Sequence, residues 1–191
     1  MERIGLFGGS FDPVHLGHLL VAEAAREELA LSRLFFIPVA QSPFKPERKP
    51  TAAVMRLRLL RLALAGKTWC EIDDQEIKRG GTSYTVDTLR DYARRFVGAQ
   101  LFYLIGSDHV AQLLQWREAP ELARLAEFVA LPRPGQGEAP FPAPFRGRTL
   151  KGFPLGISSS QIRARAKAGL PMEPLVPAAV AEAIRNNGLY F

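Results

Sequence analysis

Four stretches of this sequence are apolar with no polar alternation: Arg3 to Phe7 (RIGLF), residues 33–39 (RLFFIPV), residues 99–106 (AQLFYLIG) and EFVAL after Ala126. A strand that is apolar on both faces must be covered on both faces, which an antiparallel sheet with one wet side does not provide. Between these runs lie segments of helical spacing: LGHLLVAEAAREELAL, a helix from about Thr51 to Ala65, TVDTLRDYARRF, DHVAQLLQW, SSSQIRARAKAG and a last one from about Pro177 to Asn187. Strand–helix units of this kind predict an α/β fold, a single-domain Rossmann-like parallel sheet with helices on both faces. The 191 residues suffice for one such domain spanning 1–191, with the helical part from about 157 to 191 packed on it. WCEIDD and EIK read as a more polar strand region closed by a turn at Gly80 and Gly81. The Pro- and Gly-rich stretch 132–148 is longer than most loops in compact domains, and reads as a functional flap or a mobile insertion.

Composition narrows the class. The opening MERIGLFGGSF has no apolar h-region, so no signal peptide is expected. No apolar run approaches the roughly 20 residues of a spanning helix, and Arg56, Arg58 and Arg61 interrupt the best one. Cys70 is the only cysteine, which excludes an internal disulfide and fits a reducing compartment; the expected location is cytoplasmic, without a membrane partner. The net charge of +6 suits anionic partners, either phosphorylated small molecules or nucleic acid, and equally suits a solvated arginine-rich surface. Two asparagines, one cysteine and fifteen prolines fit heat adaptation or a genomic nucleotide bias alike.

The sequence GGSFDPVHLGHL (8–19) joins the first strand to the first helix. Ligands of parallel sheets bind beyond the carboxyl ends of the strands, so this segment, IGSD (105–108) and GISSSQIR (156–163) are expected on one edge. Gly8 and Gly9 allow a tight turn and close approach of backbone to ligand. A helix starting near His15 or Leu16 turns free N–H groups toward an anion. His15 and His18, with Gly17 between them, add imidazole donors whose protonation the sequence does not fix. A histidine pair can also bind a metal, but the third ligand would have to come from His109, Cys70 or a carboxylate such as Asp12, and no metalloprotease spacing is present. Ser10 lacks the G-x-S-x-G elbow of a nucleophile and reads as a turn or phosphate-contact residue. GKT at 66–68 ends like a P-loop, but Arg61 stands where the first glycine is required.

Ser158 and Gln161 have capping-box spacing, so a helix start with Arg163 in its first turn or so makes a second anion site, or an ordinary capped surface helix. Gly106 and Asp108 follow a buried strand and can meet a ribose or phosphate, Asp108 serving otherwise as a helix cap. Trp116 ends its helix, either stacked on a ligand ring or buried in the core.

Together GGSFDPVHLGHL and ISSSQIRAR resemble the two signatures of the nucleotidyltransferase superfamily with H-x-G-H and I-S-S-T-x-I-R motifs, with Ser160 in place of the threonine. Within it the chain resembles bacterial nicotinate-nucleotide adenylyltransferases through GGTSYTVDTL (80–89), LIGSDHVAQLLQW (104–116), LPRPG (131–135) and the ending VPAAVAEAIRNNGLY. The likeness runs through essentially the whole chain. In SPFKP, Phe44 replaces a histidine frequent in that family, while Lys45 remains.

The resemblance implies transfer of the adenylyl group of ATP to nicotinate mononucleotide, giving pyrophosphate, without a covalent intermediate. It implies catalytic roles for His15, His18, Lys45 and Arg163. ATP would meet Gly8, Gly9, Ser10, Phe11, His15, His18, Gly106, Asp108, Arg133, Ile157, Ser158, Ser159 and Arg163. Nicotinate mononucleotide would meet Lys45, Tyr84, Thr85 and Trp116. Mg²⁺ would be held through the substrate phosphates, not by protein ligands, and a homo-oligomer is possible. A related adenylyltransferase acting on phosphopantetheine and a non-catalytic nucleotide- or RNA-binding module are the alternatives; the second lacks an RNA-recognition motif or a concentrated basic tail.

Overall fold

The computed structural model describes residues 1–44, 47, 49–132, 134–135, 140–153 and 155–191. Lys45 and Arg133 lie outside the described residues. Six strands form one parallel sheet: β1 (Arg3–Gly9), β2 (Arg33–Pro38), β3 (Cys70–Ile72), β4 (Gln100–Gly106), β5 (Glu127–Leu131) and β6 (Gly147–Thr149). Their spatial order is β3-β2-β1-β4-β5-β6. The order reverses between β1 and β4, and that reversal opens a crevice at the carboxyl ends of the two strands.

The apolar runs are long because both faces are used. On β2, Leu34 and Phe36 point into one core while Phe35 and Ile37 point into the other; on β4, Phe102 and Leu104 oppose Leu101, Tyr103 and Ile105. The first core takes α1 (Leu16–Glu28), α2 (Ala53–Leu64), α6 (Ser159–Lys167) and α7 (Ala178–Asn186). The second takes α4 (Thr85–Arg95), a 3-10 helix (Ser107–Gln115) and α5 (Ala119–Leu125). Among the described residues no helix is long and apolar enough to cross a membrane.

Several local expectations are corrected. EIK is not strand but part of α3 (Gln75–Arg79), started by the Asp73 carboxylate accepting the Gln75 N–H at 3.0 Å and stopped at Gly80 with φ 71°. The segment before Trp116 is a 3-10 helix, which suits the three-residue spacing of buried Val110 and Leu113 and half-buried Trp116 because side chains at i and i+3 eclipse in that helix. Helix α5 has no counterpart among the helices expected from the sequence; it begins after Glu118 in a left-handed conformation, with Pro120 in its first turn. The Pro-rich stretch ends in β6, and Phe145 anchors it in the second core, edge-on to Phe128 at 5.1 Å. Gly147 can carry no side chain there, since a Cβ would meet the Phe128 carbonyl at 2.6 Å.

Phe36 links the first core to the crevice, lying 5.4 Å from both Phe7 and Phe11. Phe36→Ala is expected to cost about 3–5 kcal/mol of stability, measured by urea unfolding.

Candidate functional site: two helix starts on one turn

The β1–α1 connection turns through residues 10–15. Gly8 and Gly9 are not the turn; they are the last residues of β1, in register with Ile37 and Pro38. They are small because Tyr103 and Phe11 pack on them: a Cβ on Gly8 would meet the Tyr103 hydroxyl at 2.5 Å, and one on Gly9 would meet the Phe11 ring at 3.0 Å. The reversal falls instead on Phe11, whose φ is +45°, followed by a cis Asp12–Pro13 bond. A bulky residue in the left-handed region is held there only when its surroundings over-determine it. Those surroundings are explicit. Arg56 of α2 donates to the Ser10 carbonyl (2.9 Å), Arg163 of α6 to the Asp12 carbonyl (2.7 Å), and the Ser159 hydroxyl to the Pro13 carbonyl (2.9 Å).

His15 caps α1 in an extended conformation. Its N–H donates to Nδ1 of His18 at 3.2 Å, which makes that nitrogen the acceptor and leaves the ring proton on Nε2. The two rings stack with centroids 3.6 Å apart, and His18 also lies against Phe11 and Phe7. Burial pushes His15 down to about 4, and burial together with the neighbouring His15 holds His18 well below the usual imidazole range. Both rings are therefore neutral donors near pH 7. Two of the N–H groups expected to await an anion are already engaged, Leu16 with the Leu175 carbonyl and His18 with the His15 carbonyl, both at 2.9 Å. The imidazoles consequently carry more of any anion contact than the backbone of α1 does. Nδ1 of His15 is buried without a hydrogen-bond partner among the described residues. Gly17 leaves room for that ring, as a Cβ there would meet it at 3.1 Å.

Helix α6 starts as expected. Ser158 is its cap and accepts from the Gln161 N–H at 3.3 Å, while the Gln161 side chain accepts from the Ser158 N–H at 2.9 Å. Arg163 also donates to the Ser160 hydroxyl at 2.8 Å.

These elements wall one cleft of about 1120 Å³, ample for a nucleotide pair. Gly8, Gly9, Ser10, Phe11, His15, His18, Gly106, Ile157, Ser158, Ser159 and Arg163 line one part of it, and Tyr84, Thr85 and Trp116 line it as well. Asp108 is exposed on the 3-10 helix and is not among the lining residues. Helix α4 begins at Thr85, whose hydroxyl donates to the Tyr103 oxygen at 3.3 Å. Trp116 takes the core position, half-buried, and also lines the cleft, where Phe44 and His109 lie against its ring at 5.3 and 6.0 Å. Among the described residues no group of three His, Cys, Asp or Glu side chains could hold a metal. The donor set at the histidine end is imidazole, hydroxyl and guanidinium, which suits phosphate oxygens more than a divalent cation.

Sequence reasoning missed three lining or supporting residues. Glu76 is buried against the cleft, accepting from the Thr88 hydroxyl at 2.5 Å, and burial raises its carboxyl above the usual range. Tyr103 is hidden in an apolar strand. Arg56, read only as a charge interrupting an apolar run, is 1% exposed.

A switch-point crevice walled by two capped helix starts and a neutral histidine pair defines a nucleotide-binding α/β protein built to handle phosphate. The cytidylyltransferase-like family model matches residues 6–165. A Thermus thermophilus protein named "Probable nicotinate-nucleotide adenylyltransferase" is 43% identical over 190 residues, covering 98% of this chain and 99% of the relative. One of the same name from Opitutus terrae is 39% identical over 191 residues, covering 98% and 97%. The structure of Plasmodium falciparum nicotinic acid mononucleotide adenylyltransferase complexed with NaAD superposes with a TM-score of 0.83 over 100% of this chain and 98% of that one, at 17% identity, a likeness of fold. The chain belongs to the cytidylyltransferase-like family and, within it, to the nicotinate-nucleotide adenylyltransferases.

The histidine pair has a measurable signature. Native His15 stays neutral down to about pH 4, whereas an unfolded histidine protonates near 6.5. Stability is thus fully present above pH 6.5 and falls as pH drops from there toward 4. NMR titration of the imidazole nitrogens should find His15 and His18 neutral at pH 6, with His15 titrating near 4.

Proposed function

We propose that this chain transfers the adenylyl group of ATP to nicotinate mononucleotide, yielding nicotinate adenine dinucleotide and pyrophosphate in NAD biosynthesis. The observation that carries the reading is one cleft lined by His15, His18, Ser159 and Arg163 together with Tyr84, Thr85 and Trp116. A phosphate oxygen of the mononucleotide attacks the α-phosphorus of ATP, the bond to the bridging β-oxygen breaks, and pyrophosphate carries away the electron pair. A phosphate monoester is already a competent nucleophile, so no general base or covalent adduct is required. Alignment and charge stabilisation are what the protein contributes.

In this reading His15 and His18 contact the ATP phosphates, with the Nε2 proton of His18 aimed at charge developing on the α-phosphate. Ser158, Ser159 and Arg163 hold the β and γ phosphates, with Ile157 beside them. Gly8, Gly9, Ser10 and Phe11 form the floor. Gly106 and Asp108 serve the ribose, Asp108 from the exposed turn beside it, and Arg133 the adenine. Lys45 neutralises the mononucleotide phosphate. Tyr84 and Thr85, at the start of α4, read the nicotinate carboxylate through N–H and hydroxyl donors. Trp116 stacks on the pyridine ring, for which Phe44 must give way. No described residues form a metal site of their own, so Mg²⁺ bound with ATP would supply charge neutralisation at its phosphates. Small-molecule nucleotides are the partners, without nucleic acid or membrane, in the cytoplasm where these substrates and a reduced Cys70 coexist; assembly into a homo-oligomer is compatible with this.

Pyrophosphate release from ATP and Mg²⁺, with nicotinate mononucleotide, nicotinamide mononucleotide or phosphopantetheine offered in parallel, tests the reading. Preference for the nicotinate substrate is expected. Turnover with phosphopantetheine alone would overturn the assignment of the second substrate, and no turnover would favour a binding module. His18→Ala is expected to lower kcat by roughly 10²–10³, the cost of one such donor, while the protein remains folded by circular dichroism.

A further inference from the structure

Beyond α7 the chain returns to the β1–α1 turn. Tyr190 has φ +70°, a left-handed conformation rare for an aromatic residue. Its hydroxyl donates to Oδ1 of Asp12 at 2.7 Å, across 178 positions of sequence. Asp12 is 3% exposed, and its other oxygen accepts from the Thr51 N–H at 3.3 Å. The backbone carbonyl of the same residue accepts from Arg163 at 2.7 Å. One residue therefore joins the returning chain, the start of α2 and the guanidinium assigned to the ATP phosphates.

We propose that Tyr190 and Asp12 are positioning residues for the ATP side of the reaction: a latch that holds the turn at residues 10–13, and through its carbonyl Arg163, in the phosphate-binding geometry. This rests on the function proposed above. The ring of Tyr190 packs on the first core, and phenylalanine would serve that packing equally. The hydroxyl is what the latch needs, because a buried carboxylate short of a donor is destabilised where it stands. Among the described residues, the charged groups facing Asp12 include Arg163 from α6 and Arg56 from α2, and Tyr190 and Thr51 hydrogen-bond to it. Burial pushes the Asp12 carboxyl up, but hydrogen bonds from Thr51 and Tyr190 and the charge of Arg163 outweigh it, and the carboxyl stays below the usual range.

The test is steady-state kinetics of wild type, Tyr190→Phe, Asp12→Asn and the double variant, varying ATP and nicotinate mononucleotide in turn. Tyr190→Phe is expected to raise KM for ATP about tenfold, the loss of one hydrogen bond to a charged group, and to leave KM for the mononucleotide unchanged. The acid limb of kcat/KM for ATP should move to higher pH, because the carboxyl loses a donor that holds it low. The same substitution in the Asp12→Asn background should move it no further, and the two effects on KM should fall short of additive. A fall in kcat with both KM values and the acid limb unchanged would mean a merely structural hydroxyl and would overturn the latch, as would no change at all. If Tyr190→Phe is too unstable to assay, Asp12→Asn carries the same KM comparison. If wild type turns over no mononucleotide, the functional reading fails separately. Calorimetric binding of ATP and Mg²⁺ then decides the latch, about tenfold weaker binding in Tyr190→Phe supporting it and equal binding refuting it.

Discussion

The structure depends on how the carbonyl oxygens of the turn at residues 10–13 are satisfied. A strand-to-helix turn at the bottom of a cleft cannot leave its polar backbone buried and unpaired. Here Arg56, Arg163 and Ser159, from two helices distant in sequence, take the carbonyls of Ser10, Asp12 and Pro13. The same three bonds fix the left-handed Phe11, dock α6 against the start of α1, and bring Arg163 to the cleft that His15 and His18 line. Fold and site are thus one arrangement of donors, and a change at any of the three should be felt at both.

Electrostatically the site is more reserved than the net charge of +6 implies. Many arginines are spent on surface pairs, Arg90 with Glu118 and Glu121, Arg95 with Asp73 and Asp91, Arg148 with Glu127. Such exposed pairs contribute little to stability, and they dilute the positive field. Inside the cleft the histidines are neutral, so they act as fixed hydrogen-bond donors and add no formal charge. Fixed neutral donors suit a reaction in which stabilisation is needed as charge shifts toward a leaving pyrophosphate rather than in the ground state.

Much of this was legible in the sequence, for a physical reason in each case. Parallel strands buried on both faces leave unbroken apolar runs, and β1, β2, β4 and β5 fall where those runs lie. Local capping chemistry leaves local spacing, so Ser158 and Gln161 mark α6 to the residue. The helix start beside His15 is equally local. What escaped is set by contacts far apart in sequence. Nothing near Arg56 or Tyr190 says that one is buried against Ser10 and the other hydrogen-bonded to Asp12. Gly8 and Gly9 suggest a turn because glycine permits one, whereas Gly8 is small for Tyr103 on the neighbouring strand and Gly9 for the Phe11 ring folded back from the turn. Short elements escaped too: five residues of α3 and three of β6 carry no resolvable period, and β6 is placed by Phe145 and by the strand beside it.

The central claim is that the protein aligns two phosphates and forms no bond of its own to either. The most direct measurement is the stereochemical course at the α-phosphorus, using ATP made chiral there by sulfur substitution and nicotinate mononucleotide as acceptor. A single in-line displacement at the histidine pair predicts inversion of configuration in the dinucleotide product. Retention would require a covalent adenylyl intermediate on the protein and would contradict the account.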